Sequence, residues 1–188
     1  MLNAIKQLRD REDEGFTLIE LMVVVLIIAI LLAIAIPTFL GARNTANARS
    51  AQSNLRNALT AEQVAWTNGQ AFSNTTAQMQ GIESALTWST AVAPTSGNNV
   101  AVDVGDLDTA NNPQAVELEA FGKDGNCWYI LQSNDPALSF TGYAVDQQST
   151  GHACVAPAVP ATLAAPSTGS AGTAPGAAGA TPVFYKSF

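Results

Sequence analysis

Histidine occurs once, at His152, and cysteine only twice, at Cys127 and Cys154, in 188 residues. So few soft ligands leave no zinc-type spacing to draw, and His152 has no flanking pattern of a base or a ligand. No nucleophile elbow and no phosphate-cradling glycine loop appears either, so neither catalysis nor a cofactor is expected of this chain. Charged residues are scarce at 12%, and basic ones scarcer still, eight Lys and Arg against fifteen Asp and Glu. A net charge of −7 argues against a broad nucleic-acid-binding surface. Ala, Gly, Ser, Thr and Asn fill the space, as in an exported surface protein rather than a cytosolic enzyme.

What the chain has in excess is one apolar run. Leu21 to Ile36 contains no polar residue, and Phe16 to Ile36 as a helix spans roughly 31 Å, the thickness of a bilayer's hydrocarbon core. A secretory signal has an apolar region of about half that length, followed by a small-residue cleavage site. Here the small residue, Gly15, precedes the run, so cleavage there removes the charged leader and leaves the hydrophobic helix in place. Glu20 stands inside the apolar segment, where an acid is costly unless it is compensated. One reading is an acid at a helix end, reaching for headgroups and favouring the helix N-terminus. The other is an ion pair with a cation on another subunit. Cleavage after Gly15 makes such a cation, the new α-amino group of Phe16, and a lengthwise-shifted neighbour presents its own copy to this Glu20.

The stretch Glu14-Gly15-Phe16-Thr17-Leu18-Ile19-Glu20-Leu21, with the apolar helix and Pro37 after it, closely resembles the N-terminus of type IV prepilins and pseudopilins. The resemblance covers about Gly15 to Leu40. It implies that a membrane-bound prepilin peptidase cuts between Gly15 and Phe16 and N-methylates Phe16. It further implies that Glu20 registers each incoming subunit and that Pro37 marks a helix bend or melted segment. The acidic Glu12, Asp13 and Glu14 depart from the basic residue that many relatives carry before the glycine. The implied fold is α+β, a pilin fold with a long N-terminal helix packed against a small antiparallel head. The implied role is a structural subunit of a type IV pilus serving adhesion, motility or DNA uptake. Its partners are then further copies of itself, the peptidase, the assembly platform and its ATPase, and the membrane before assembly. The implied location is the inner or cytoplasmic membrane, leader inside and head outside, then the extracellular pilus. Arginines 43, 49 and 56 offset the basic leader, so charge counting alone leaves the orientation open. Two alternatives stand: a type II secretion pseudopilin or a minor or competence pilin, and a simple membrane-anchored binding protein that keeps Met1.

Five segments follow: a leader at 1–15, the span at 16–36, an amphipathic continuation at 37–68, a head at 69–155 and an Ala/Pro/Gly-rich tail at 156–188. Ala48, Ala51, Leu55, Ala58, Leu59 and Trp66 recur at helical spacing, and Gly69 is the expected stop. Arg43, Arg49 and Arg56 read as solvated or as paired with acids of the head or of neighbours. A short helix is expected around Thr76–Ser84, then strands at Ala85–Ser89, Val100–Val104, Ala115–Phe121, Cys127–Gln132 and Gly142–Val145. Alternation of Val116, Leu118 and Ala120 with Glu117 and Glu119 predicts a half-buried strand with one wet face. Gly122-Lys123-Asp124-Gly125 predicts a hairpin turn. An antiparallel sheet of three to five strands on the helix is the expected head. Residues 156–181 read as flexible or extended, with Val183-Phe184-Tyr185 docking back as an edge strand or touching a neighbour.

Both cysteines fall in the part expected outside the cytoplasm, where a Cys127–Cys154 disulfide is the default and resembles the C-terminal loop of many pilins. Two buried free thiols are the alternative. Asp103, Asp106 and Asp108 form an acidic loop, and some secretion pseudopilins carry calcium in the head. The spacing lacks the final glutamate of an EF-hand, so a solvated turn is the better reading and no metal is expected.

Overall fold

A computed structural model describes residues 16–90, 92–105, 114–136, 138–146, 154, 156–159, 167–170 and 183–188. The chain divides into two compact units, one ending at Ala42 and one beginning at Arg43.

In the first unit, residues 18–42 belong to helix α1 (Leu18–Gly69), which carries Pro37 inside it. Proline cannot donate to the preceding turn. The Thr38 hydroxyl donates to the Ile34 and Ala35 carbonyls at 3.2 and 2.9 Å, which returns a donor to that turn. Large apolar side chains from Phe16 to Leu40 are exposed all round this stretch, Phe16 by 89%. Burial must therefore come from something other than this chain's own core.

Among the described residues, the second unit contains the rest of α1, a short helix α2 (Thr76–Ile82) and seven strands: β1 (Thr87–Thr90), β2 (Asn99–Gly105), β3 (Ala115–Phe121), β4 (Cys127–Asp135), β5 (Leu138–Asp146), β6 (Ser167–Ser170) and β7 (Tyr185–Ser187). They form one sheet in the order β1-β2-β3-β4-β5-β7-β6. The middle of the sheet, β2 to β5, is antiparallel as expected. The sheet as a whole is mixed and larger than expected, because β1 runs parallel to β2 and β6 parallel to β7. The link from Thr90 to Asn99, through Pro94 and Gly97, brings the chain back beside the start of β1, with Thr87 opposite Asn99. Within the stretch read as a tail, residues 167–170 pair as β6. Tyr185–Ser187 docks between β5 and β6 rather than at the edge.

One face of the sheet meets α1. Ala51, Leu55, Ala58, Ala61 and Ala65 are buried against Val100, Val102, Val116, Leu118, Trp128 and Ile130, with Ala48, Leu59 and Trp66 packing at the margin. Alanines at four of these five helix positions let α1 lie close to the sheet. Phe188 joins this core, its ring 5.3 Å from Trp128 and 4.6 Å from Tyr143, and the Arg56 guanidinium lies over it at 5.7 Å. Arg56 is thus engaged by an aromatic face, not only solvated. Gly69 is the last helical residue, and Gln70 takes the left-handed conformation (φ 56°) that glycine was expected to supply. The Gly122–Gly125 turn closes the β3–β4 hairpin, with Gly125 at φ 89° and its N–H donating to the Gly122 carbonyl at 2.8 Å.

The opposite face of the sheet overturns one expectation. Glu117 and Glu119 are 2% and 0% exposed, so β3 has no wet face. Period-two alternation assigned them to the side away from the helix correctly, but that side is covered. Pro157 is buried there, and Val159 lies so close to Gly105 that a β-carbon on the glycine would stand 2.3 Å from it. Phe184 approaches Gly142 in the same way. A second small core of Cys127, Tyr129 and Ala144, edged by Phe121, Cys154 and Phe184, completes the cover.

Candidate functional site

Phe16 and Thr17 precede the first helical residue, and the helix start is built by a reciprocal pair. The Glu20 carboxylate accepts from the Thr17 backbone N–H at 2.9 Å and from its hydroxyl at 2.6 Å, while the Glu20 N–H donates to the Thr17 hydroxyl at 3.3 Å. This is a capping box, which satisfies donors that a helix start leaves open. The Thr-x-x-Glu spacing of Thr17 to Glu20 carried that signal, although Glu20 was read as a helix-end acid or as the partner of a distant cation, not as half of a capping box. Helix α1 is long and apolar enough to cross a membrane by length and composition, and it fits a single-pass anchor. Gly15, on the other side of the expected cleavage, lies outside the described residues.

The disulfide is present. Cys127 opens β4 and bonds Cys154 with a Cα–Cα distance of 5.7 Å, within the usual range. The bond pins the segment that covers the outer face. Replacing both cysteines by alanine is expected to lower stability by about 3 kcal/mol and the melting midpoint by roughly 10 °C, read by thermal unfolding with and without reductant.

Of the acidic loop, only Asp103 is described; Asp106 and Asp108, like His152, lie outside the described residues. Asp103 is not a solvated turn residue. It stands in β2, and its carboxylate accepts from the Val159 backbone N–H at 2.9 Å, tying the covering segment to the sheet.

Three buried glutamates were not legible as such. Burial pushes Glu117 up to about 8, a hydrogen bond from the Ala158 backbone opposing this and the nearby Asp103 charge adding to it. Burial likewise pushes Glu119 up to about 8, with the Tyr129 hydroxyl opposing and Glu117 and Asp146 adding. The Tyr129 hydroxyl is the polar group that favours the charged Glu119 carboxylate against its burial. On the helix side, burial raises Glu62 to about 7, although the Ser73 N–H donates to it at 3.0 Å. Glu62 lies four residues after Ala58 on the apolar stripe, and that position was the available signal.

An exposed apolar helix with one N-terminal carboxylate, followed by a mixed sheet laid on the helix's second half, defines an α+β protein of pilin-like layout. The model of the prokaryotic N-terminal methylation motif matches residues 11–36. That match, confined to the N-terminal stretch, supports a protein of the type IV prepilin or pseudopilin kind. No curated protein and no solved structure matches it.

Proposed function

We propose that this chain is a structural subunit of a type IV pilus, cut between Gly15 and Phe16, N-methylated on Phe16 and polymerised through α1. The observation that carries this reading is the apolar surface exposed all round residues 16–40, with Glu20 as its one acid. In the membrane, lipid covers that surface; in a filament, like helices cover it, so apolar area stays out of water throughout. The Thr17–Glu20 capping box keeps the carboxylate compensated in the separate subunit. During assembly, the Phe16 amine of a neighbour takes over that role and sets the lengthwise register. Pro37 supplies the point at which the helix bends or opens as subunits pack. The leader stays in the cytoplasm and the sheet-bearing unit is exported, where its disulfide forms. Catalysis has no part in this reading. The peptidase, the assembly platform and its ATPase are the partners it requires.

Mass spectrometry of material sheared from intact cells tests the proposal. An abundant chain whose first residue is methylated Phe16 is the expected result. A cleaved chain confined to the membrane fraction supports a type II secretion pseudopilin or a minor pilin instead. A chain retaining Met1 overturns both and favours a simple membrane anchor.

A further inference from the structure

We propose that Glu119 is the internal base that closes the Cys127–Cys154 disulfide. The two sulfurs are unequal: Cys127 is fully buried, whereas Cys154 is only half-buried. An external disulfide donor therefore meets Cys154 first and exchanges with it, leaving a mixed disulfide on that residue. Cys127 then attacks the Cys154 sulfur. The Cys127–Cys154 bond forms, the bond from Cys154 to the donor sulfur breaks, and the donor leaves as a thiolate that solvent protonates. In sum, two cysteine thiols are oxidised and one donor disulfide is reduced to two thiols.

Only the thiolate of Cys127 is a nucleophile, and a thiol among apolar groups holds its proton. Around it stand Tyr129, Ala144, Phe121 and Phe184, which exclude buffer bases. One carboxylate oxygen of Glu119 lies within 4.8 Å of both sulfurs, and the carboxylate is fully buried, with the Tyr129 hydroxyl as its polar neighbour. A carboxylate so deeply buried is costly as a purely structural feature. As a base aimed at the buried sulfur it has a role.

Other acids face the same region. Asp146 is the cross-strand neighbour of Cys127 but lies outside the 4.8 Å grouping, and Glu117 and Asp103 are further along the sheet. Because burial raises Glu119 to about 8, its proton affinity comes nearer to that of the buried thiol, and transfer between them is less uphill. A carboxylate in the ordinary range is a much poorer base for this step.

The test uses the full chain in detergent micelles, reduced and then mixed with oxidised glutathione. Acid quenching and alkylation of remaining thiols, read by mass spectrometry, separate capture of glutathione at Cys154 from closure by Cys127. Closure of the wild-type chain is expected to be first order, independent of glutathione, and faster as pH rises through about 8. Glu119→Gln has the shape of the protonated acid, and in it closure should slow about 100-fold while capture is unchanged. Glu119→Asp keeps the base with a shorter reach and should close at an intermediate rate; it serves as the second variant if the first does not fold. Glu117→Gln and Asp146→Asn should stay within about twofold of wild type. Wild-type closure in Glu119→Gln overturns the proposal. Equal slowing of capture and closure assigns Glu119 a structural role and overturns it too, as does a full loss in Asp146→Asn.

Discussion

Cells producing the Glu20→Ala chain are expected to show no filaments of it, while the leader is still removed. The alanine removes two things at once, the capping box with Thr17 and the negative charge. Losing the cap alone weakens a helix start by about 1 kcal/mol. Leaving a neighbour's amine unpaired in an apolar bundle is far more serious, about 3–5 kcal/mol for a broken buried pair. At 1.4 kcal/mol per decade, even the lower figure is roughly a hundredfold in each subunit addition, enough to prevent a filament. Glu20→Gln separates the two effects, because glutamine serves in a capping box as well as glutamate does but carries no charge. Electron microscopy of sheared material from both strains, with immunoblots for the cleaved form, is the measurement. Filaments in Glu20→Gln at wild-type number would assign Glu20 a capping role and sink its part in registry.

Stability of the unit from Arg43 onward is expected to fall as the medium is brought from about pH 4.5 to about pH 8. Unfolded, Glu62, Glu117 and Glu119 each titrate near 4.5; folded, they hold their protons to about 7, 8 and 8. Between those limits the folded state binds more protons than the unfolded one, so unfolding free energy decreases with rising pH. The stabilisation is complete below the unfolded value and gone once pH has passed through the folded values. Taking relaxation and water entry into account, the three groups together amount to on the order of 5 kcal/mol, a large share of a small domain's stability. The melting midpoint of the full chain in detergent, followed from pH 5 to pH 8.5, should therefore drop steadily. The double variant Glu117→Gln, Glu119→Gln should flatten the curve and melt higher than wild type at pH 8. A midpoint that stays level or rises across that range in the wild-type chain would remove the buried-acid account of the outer face. A unit with these properties is most robust in acidic surroundings.

What the linear chain determined by itself was its local and lengthwise character. Seventeen or more apolar residues with one acid dictate a membrane-length helix whatever follows, because no other element satisfies the backbone in lipid. The stripe from Ala48 to Trp66 specified which side of α1 is buried, and alternation in β3 specified the side chains facing it. The Gly122–Gly125 turn placed the β3–β4 hairpin, whose register runs from Ala115 opposite Ser133 to Phe121 opposite Cys127. Tertiary structure alone decided what covers the other face. No period in the sequence reveals that Pro157, Val159 and Phe184 return to the sheet over Gly105 and Gly142, since burial there depends on contacts across dozens of residues. That return turns two apparently solvated glutamates into buried acids and places one of them beside the disulfide. It also draws Ser167–Ser170 into the sheet, from a stretch whose composition promised nothing to bury, and seats Tyr185–Ser187 between β5 and β6 rather than at the edge. Local propensity sets the elements; desolvation across distant segments sets the chemistry of the groups between them.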